Sequence, residues 1–335
     1  MRILVTGHTG FKGSWLTLML RHLGHQVHGY SLSPIPGGIF KLAKISEICE
    51  SDFRDDVRYK ANLDEAIEKV QPEIVLHLAA QPLVLTSYEQ VYETYSTNVT
   101  GTLNVLDASI KSRVLKGIIV ITTDKVYLNN EAERPFNESD TLGGNDPYSS
   151  SKALADQLTQ DWSRHSQGIP LAIARAGNVI GGGDVSENRL IPDIVSSISI
   201  GKVLQIRNPM SVRPWQHVMD CLNGYIALID FVLSGKSGAF NFGPNEGDFH
   251  TVQEVTTHIL KRFGKRDWES GQASASKEAG YLTLNSTKAM KELNWKNKIS
   301  FNEGLDLTVE WYKAAIAGIE MREFSMNQII DFYSI

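Results

Sequence analysis

The sequence has only two cysteines among 335 residues, Cys49 and Cys221, with no CxxC spacing and no histidine cluster beside either. A disulfide framework and a cysteine-based zinc site are therefore not expected, and no metal is anticipated. No apolar run approaches the roughly 18 residues that a membrane span needs. The amino terminus, Met1 to Thr6, runs straight into a short apolar strand pattern and lacks the features of a secretion signal. Basic excess is missing too: 33 Lys and Arg face 38 Asp and Glu, the signs are mixed, and the formal net charge is -5. Nucleic acid is thus an unexpected partner. Together these absences predict a cytoplasmic protein that engages neither membrane nor nucleic acid.

What is present is length and alternation. A chain of 335 residues has room for one large α/β domain and a smaller attached lobe, since single cores stop growing near about 250 to 300 residues. Short β-rich runs at Ile3 to Thr6, Gln26 to Ser31, Glu73 to Leu78, Gly117 to Thr122 and Leu171 to Arg175 alternate with helical patterns, which predicts βαβ units on a parallel sheet. Between the first two runs, Leu16, Met19, Leu20 and Leu23 recur at helical spacing and Gly24 stands where a helix would stop. Beyond Ile180 the texture changes to Gly- and Pro-rich connections. The fold class expected is therefore α/β, a Rossmann-type doubly wound parallel sheet over residues 1–176. Residues 177–335 would mainly form a smaller C-terminal substrate-binding lobe, with some segments returning to the first domain. Ser270 to Glu278 reads as a solvated loop, and the apolar groups Phe324, Ile329 and Phe332 predict a docked tail.

The segment Thr6 Gly7 His8 Thr9 Gly10 Phe11 Lys12 Gly13 Ser14 follows a predicted strand and opens a predicted helix, the context that makes a glycine motif meaningful. Gly7 would permit the tight turn, Gly10 the close approach of a pyrophosphate, and Gly13 the contact of helix with strand. Thr9 and Phe11 belong to the same loop, and His8 or Lys12 could meet a phosphate or a ribose hydroxyl. The second strand ends in Tyr30 Ser31 Leu32, not in the acidic residue that usually meets the ribose of NAD. No Arg follows within several residues to receive a 2′-phosphate, so NAD is favoured over NADP. Asp52, followed by Phe53, lies at a predicted strand end and could reach the adenine.

After the fourth run comes Thr122 Thr123 Asp124 Lys125 Val126 Tyr127, and past a Gly- and Pro-containing loop Tyr148 Ser149 Ser150 Ser151 Lys152. A spacing of four puts Tyr148 and Lys152 on one helical face. A lysine ammonium there favours the phenolate, giving a base that takes a hydroxyl proton while hydride leaves the carbon. Tyr and Lys four apart are common by chance; joined to the glycine loop, they are a strong signal.

Through Thr6 to Gly13, His77 Leu78 Ala79 Ala80, Asn98 Val99 Thr100 Gly101 Thr102 and Tyr148 to Lys152, the chain resembles the extended short-chain dehydrogenase/reductase superfamily. Within it the chain is most similar to the CDP-glucose 4,6-dehydratases. That narrower resemblance is carried by Gly7 to Trp15, Ala80 Gln81 Pro82 Leu83 Val84, Arg175 to Asp184 and Arg213 Pro214 Trp215 Gln216 His217 Val218, and it covers nearly the whole chain.

The resemblance implies a homodimer or homotetramer that holds NAD, with Leu78, Ala79 and Ala80 beside the glycine loop, and converts CDP-glucose to CDP-4-keto-6-deoxyglucose. It implies that Tyr148 takes the C4 hydroxyl proton, Thr123 holds that oxygen, and Lys152 supports Tyr148 and the cofactor ribose. Asp124 would protonate the departing C6 hydroxyl. Lys125 stands where many sugar 4,6-dehydratases have Glu; CDP-glucose members share the Lys, which implies removal of the C5 proton. Gln81, Asn178, Arg189, Arg213 and His217 would bind the nucleotide sugar, the arginines suiting the diphosphate. In one place the chain departs from the pattern: Leu85 Thr86 stands where the family commonly has Arg after Val84. Alternatives that share the loop and the Tyr/Lys pair are a dehydratase for another nucleotide sugar, a nucleotide-sugar 4-epimerase and a cofactor-sensing protein with a vestigial site.

Overall fold

In a computed structural model, residues 1–129, 134–165, 168–265, 267–271 and 281–335 are described. Seven strands pair into one parallel sheet: β1 (Arg2–Thr6), β2 (Gln26–Ser31), β3 (Ser51–Arg54), β4 (Ile74–His77), β5 (Gly117–Ile121), β6 (Leu171–Ala176) and β7 (Gly238–Phe242). Their spatial order is β7-β6-β5-β4-β1-β2-β3, every pairing parallel. Five coincide with the runs read from the sequence, with ends displaced by about one residue. The other two are an edge strand, β3, and β7, contributed by the C-terminal half.

The sheet is legible because its central strands are buried on both faces and so read as continuous apolar runs. Alternate residues divide between two cores: Ile3, Val5, Ile119 and Ile121 face one, Leu4, Ile118 and Val120 the other. The first core is covered by α1 (Phe11–His22) and the second by α2 (Lys60–Val70) and α3 (Gly101–Ser109). Helix α1 stops as expected, where Gly24 takes φ +79°, a conformation that costs glycine little. Helix α4 (Pro147–His165) opens with Pro at its first position, and Asp146 accepts the backbone N–H of Ser149 at 2.9 Å, so a proline and an acidic cap fix its start. Helix α5 (Val218–Leu233) carries the chain back across the first core to β7, which pairs with β6.

Residues Gly181 to Gly183 are gripped by two fully buried tryptophans. Trp15 on α1 donates its indole N–H to the Gly182 carbonyl at 2.9 Å, and a Cβ on Gly182 would stand 2.0 Å from the Trp311 ring. Trp311 lies on α6 (Phe301–Ile316), and truncating a buried indole to Ala costs about 3–5 kcal/mol. The tail is docked, with Ile329 and Phe332 of α7 (Met321–Ser334) buried in the first core. Of the expected loop Ser270 to Glu278, nearly all lies outside the described residues. Among the described residues no helix is long and apolar enough to cross a membrane.

Candidate active site

β1 has β2 on one side and β4 on the other, so the chain leaves neighbouring strands in opposite directions and a crevice opens beyond their carboxyl ends. The glycine loop sits there, and its three glycines do different work. Gly7 has φ +74°, and a Cβ on it would lie 2.7 Å from the Ala79 nitrogen; a Cβ on Gly13 would lie 2.2 Å from the Gly7 carbonyl oxygen. At Gly10 a Cβ would meet nothing nearer than the Gly7 oxygen at 3.4 Å, so internal packing does not require glycine there. The bare backbone instead faces outward at the N-terminus of α1, whose first turn has no acidic residue. A cradle that a Cβ would fill, at the positive end of a helix, fits a dinucleotide pyrophosphate.

The rim of this crevice is polar. The Thr9 hydroxyl shares a hydrogen bond with that of Ser31 at 2.7 Å and donates to the Leu32 carbonyl at 3.1 Å. Asp52 pairs with His8 Nε2 at 2.8 Å and accepts from Arg54 at 2.5 Å. Burial would raise the Asp52 pKa, but these bonds prevail and hold its carboxyl below the ordinary range. His8 is thus buried beneath Asp52 rather than offered to a phosphate. Arg54 also lies over the Phe40 ring at 4.6 Å and reaches the Leu32 carbonyl at 3.5 Å. The cation sought along the chain after Ser31 therefore arrives from the next strand, where parallel register sets Arg54 beside Ser31.

The reacting groups lie across the sheet. Thr123 follows β5 and caps a short turn, Asp124–Val126; its hydroxyl donates to Asp124 Oδ1 at 2.8 Å and accepts the Lys125 N–H at 3.4 Å. Asp124 is buried and its Oδ2 has no hydrogen-bond partner. Burial pushes its pKa above the ordinary carboxylate value, against the opposing pull of Lys125, Thr123, Arg213 and Lys12. From the other side α4 presents Tyr148, whose backbone N–H donates to the Ser87 hydroxyl at 3.1 Å and whose phenol lies against Thr123. Burial pushes that phenol up to about 12; Thr123 and Arg189 act downward and Asp124 upward. One turn on, Lys152 donates to the Ile121 carbonyl at 2.8 Å, and burial, then Lys12, lowers its pKa to about 8.

A cleft of about 300 Å³ opens over these groups. Thr123, Asp124, Lys125 and Tyr148 line it together with Asn178, Arg189 and Arg213, while Val84 and Leu85 supply an apolar wall. Lys12 reaches into it from the glycine loop, its ammonium donating to the Tyr225 hydroxyl at 3.3 Å. A phenol, a carboxylic acid and an amine thus converge on one volume beside a dinucleotide-shaped crevice.

The GDP-mannose 4,6-dehydratase family profile matches residues 4–308. The chain belongs to that family. It is 40% identical to a CDP-glucose 4,6-dehydratase of Salmonella typhimurium, over 99% of this chain and 96% of that protein. Among solved structures, a dTDP-glucose 4,6-dehydratase from Bacillus anthracis in complex with NAD superimposes with a TM-score of 0.79 at 27% identity, covering 96% of this chain and 99% of that one. A UDP-glucose 4-epimerase from Bifidobacterium longum, in complex with NAD and UDP, reaches a TM-score of 0.84 at 22% identity over 95% and 100% of the two chains, which is a likeness of fold alone. Since an epimerase superimposes as well as a dehydratase, fold does not choose between them and the cleft must.

Two anticipated substrate residues are placed elsewhere. The Gln81 amide is engaged internally, donating to the Leu83 carbonyl at 3.1 Å and Thr94 at 2.8 Å and accepting from Leu83 N–H at 2.6 Å. His217 caps α5, its Nδ1 accepting the Met219 N–H at 3.4 Å, and it borders a small separate cavity. Phe53 packs into the second core, Phe11 lies against Gly181, and Leu78, Ala79 and Ala80 leave β4 next to Gly7. Arg207 and Asn188 line the cleft without having been singled out in the sequence. The only signal for Arg207 was a charge two residues before Pro209.

Proposed function

We propose that this chain is an NAD-dependent CDP-glucose 4,6-dehydratase that forms CDP-4-keto-6-deoxyglucose. One observation carries the reaction class: Asp124, buried with Oδ2 unpartnered, and Lys125 share a cleft with Tyr148 and Thr123. An epimerase needs the oxidising pair alone, whereas removing water from a sugar also needs an acid at C6 and a base at C5. Likeness to the Salmonella enzyme over the full chain supports the cytidine nucleotide.

In this reading Tyr148 accepts the C4 hydroxyl proton while Thr123 holds the oxygen. Held at the glycine loop of Gly7, Gly10 and Gly13, NAD would supply the hydride acceptor for C4 and the hydride donor for C6. The C4 ketone acidifies the C5 hydrogen, Lys125 removes it, and Asp124 protonates the C6 hydroxyl so that water leaves; the proton held by Lys125 goes back to C5 when hydride adds to C6. Lys152 supports Tyr148 and the cofactor ribose. Arg189, Arg213 and Asn178 hold the nucleotide diphosphate. Residues 1–176 serve mainly the cofactor and 177–335 mainly the nucleotide sugar, with α5 and β7 returned to the sheet. The same reading makes the enzyme a cytoplasmic homodimer or homotetramer, which light scattering of the purified protein checks for size.

Purified protein supplied with NAD and CDP-, UDP- or dTDP-glucose tests the whole. A 4-keto product with the highest kcat/KM for CDP-glucose is expected. A different winning nucleotide would keep the reaction class and displace the substrate; no 4-keto product from any of the three would reject the reading.

A further inference from the structure

Arg175 lies at the end of β6 with about 1% of its surface exposed, in a buried network that no step above uses. Its guanidinium grips Asp156 with one edge, Nε donating to Oδ2 at 2.8 Å and a terminal NH2 to Oδ1 at 2.7 Å. The remaining nitrogen donates to the Tyr127 hydroxyl at 3.0 Å and the Glu138 carbonyl at 3.1 Å. Asp156 also accepts from the Thr122 hydroxyl at 3.0 Å, and the Tyr127 hydroxyl donates to Asn241 Oδ1 at 2.6 Å.

The connectivity is what matters. Asp156 follows Lys152 by four residues, as Lys152 follows Tyr148, so all three share one face of α4. Thr122 and Tyr127 bracket the turn Thr123 to Val126 on both sides. One buried ion pair therefore ties the helix bearing the phenol and the ammonium to both ends of the turn bearing the hydroxyl, the acid and the amine. A bidentate Arg–carboxylate contact fixes orientation as well as distance. Displacement of a reacting group by about 1 Å costs on the order of a hundredfold in rate.

We propose that the Arg175–Asp156 pair, acting through Thr122 and Tyr127, is the positioning device that keeps the Thr123–Asp124–Lys125 turn in register with Tyr148 and Lys152. It rests on the dehydratase reading above. The pair sets distances between reacting groups while the glycine loop and the arginines of the cleft stand apart from it, so it governs kcat and leaves affinity to other residues.

Removing Arg175 outright would leave Asp156 buried and unpaired and endanger the fold, so the test uses its two outlets. Thr122→Val and Tyr127→Phe each delete one hydroxyl and leave the ion pair intact. In the NAD-loaded protein each should lower kcat about tenfold or more, with KM for the nucleotide sugar and Kd for NAD within about twofold. Thr122→Ser, which keeps the hydroxyl, should recover most of the loss. Amide hydrogen exchange should quicken in residues 122–127 and 147–152 together. Wild-type kcat in both variants, or exchange that quickens in one segment alone, would overturn the proposal. Turnover by the unaltered protein in the same assay judges the dehydratase reading separately; were that turnover missing, the exchange measurement would still decide whether the pair couples the two segments.

Discussion

Gly10→Ala separates the stability of the glycine loop from its use. Gly10 is the N-cap of α1 with φ -76° and ψ 172°, which alanine adopts without strain. Two effects on the free protein oppose each other. Alanine restricts the unfolded chain and stabilises by about 0.4–1 kcal/mol, while glycine is the better N-cap, a loss of about 0.5–1 kcal/mol. With the Gly7 oxygen at 3.4 Å the new methyl makes only ordinary contact, so the net change lies within about 1 kcal/mol and Tm within about 2 °C. The same methyl stands on the outward side, where a pyrophosphate must approach the backbone, and NAD affinity should fall at least tenfold, about 1.4 kcal/mol. Gly13→Ala behaves in the opposite manner, since its methyl would lie 2.2 Å from the Gly7 oxygen and 2.6 Å from the His8 Cα and backbone must move. Thermal unfolding without cofactor and calorimetric titration with NAD measure the two quantities on each variant. If Gly10→Ala binds NAD as the parent does, the pyrophosphate does not pass over Gly10 and the assignment of the crevice fails.

NAD should bind at least tenfold more tightly than NADP, because Arg54 is already engaged by Asp52 and Phe40; if titration favours NADP instead, Arg54→Leu should abolish that preference. Lys125→Met should still oxidise C4 and accumulate reduced cofactor, while losing solvent-deuterium exchange at C5 and water elimination, whereas Tyr148→Phe should stop at the first step; near-normal C5 exchange in Lys125→Met would remove Lys125 as the base. His77 is buried between Thr6 at 2.7 Å and Thr102 at 3.0 Å, and burial, aided by Lys152, lowers its pKa from 6.5 to about 3. The unfolded chain takes up this proton first as pH falls, so stability present above pH 6.5 declines towards pH 3, by about 2 kcal/mol at pH 5. Urea unfolding at pH 7.5 and 5 should show a smaller difference for His77→Gln than for the parent, and equal differences would rule out the titration.

How much of this was legible in the sequence follows from what each residue type reports. Strands β1, β4 and β5 announce themselves because both faces are buried, and the glycine loop because steric necessity at Gly7 and Gly13 leaves no other residue possible. Strand β3 is short, polar and at the edge, and β7 pairs with β6 across more than sixty residues of intervening chain, a relation that local periodicity does not carry. Arg54 escaped for the same reason: a search along the chain after Ser31 cannot see a neighbour supplied by parallel register. Gln81 and His217 show the converse ambiguity, since an amide and an imidazole look like ligands in the sequence, and here their hydrogen bonds run to Leu83, Thr94 and a helix cap. Chemistry-bearing side chains are legible where the backbone must present them, as on the Tyr148 face of α4, and ambiguous where folding could use them equally well.

The charges of the catalytic cluster follow from its burial. Left as a phenol with its pKa raised to about 12, Tyr148 is a poor base in the free protein, and burial likewise raises the Asp124 pKa above the ordinary carboxylate value. Both shifts have the same first cause, exclusion of water. A carboxylate at Asp124 would be a buried charge with Oδ2 unpartnered, which raises its proton affinity although Lys125, Thr123, Arg213 and Lys12 act the other way. Activation of Tyr148 therefore requires positive charge to arrive near it, and Lys152 does not supply this alone, since its ammonium is turned to the Ile121 carbonyl and its own pKa is lowered to about 8. The oxidised nicotinamide of NAD, seated in the crevice beside these groups, would supply such a charge.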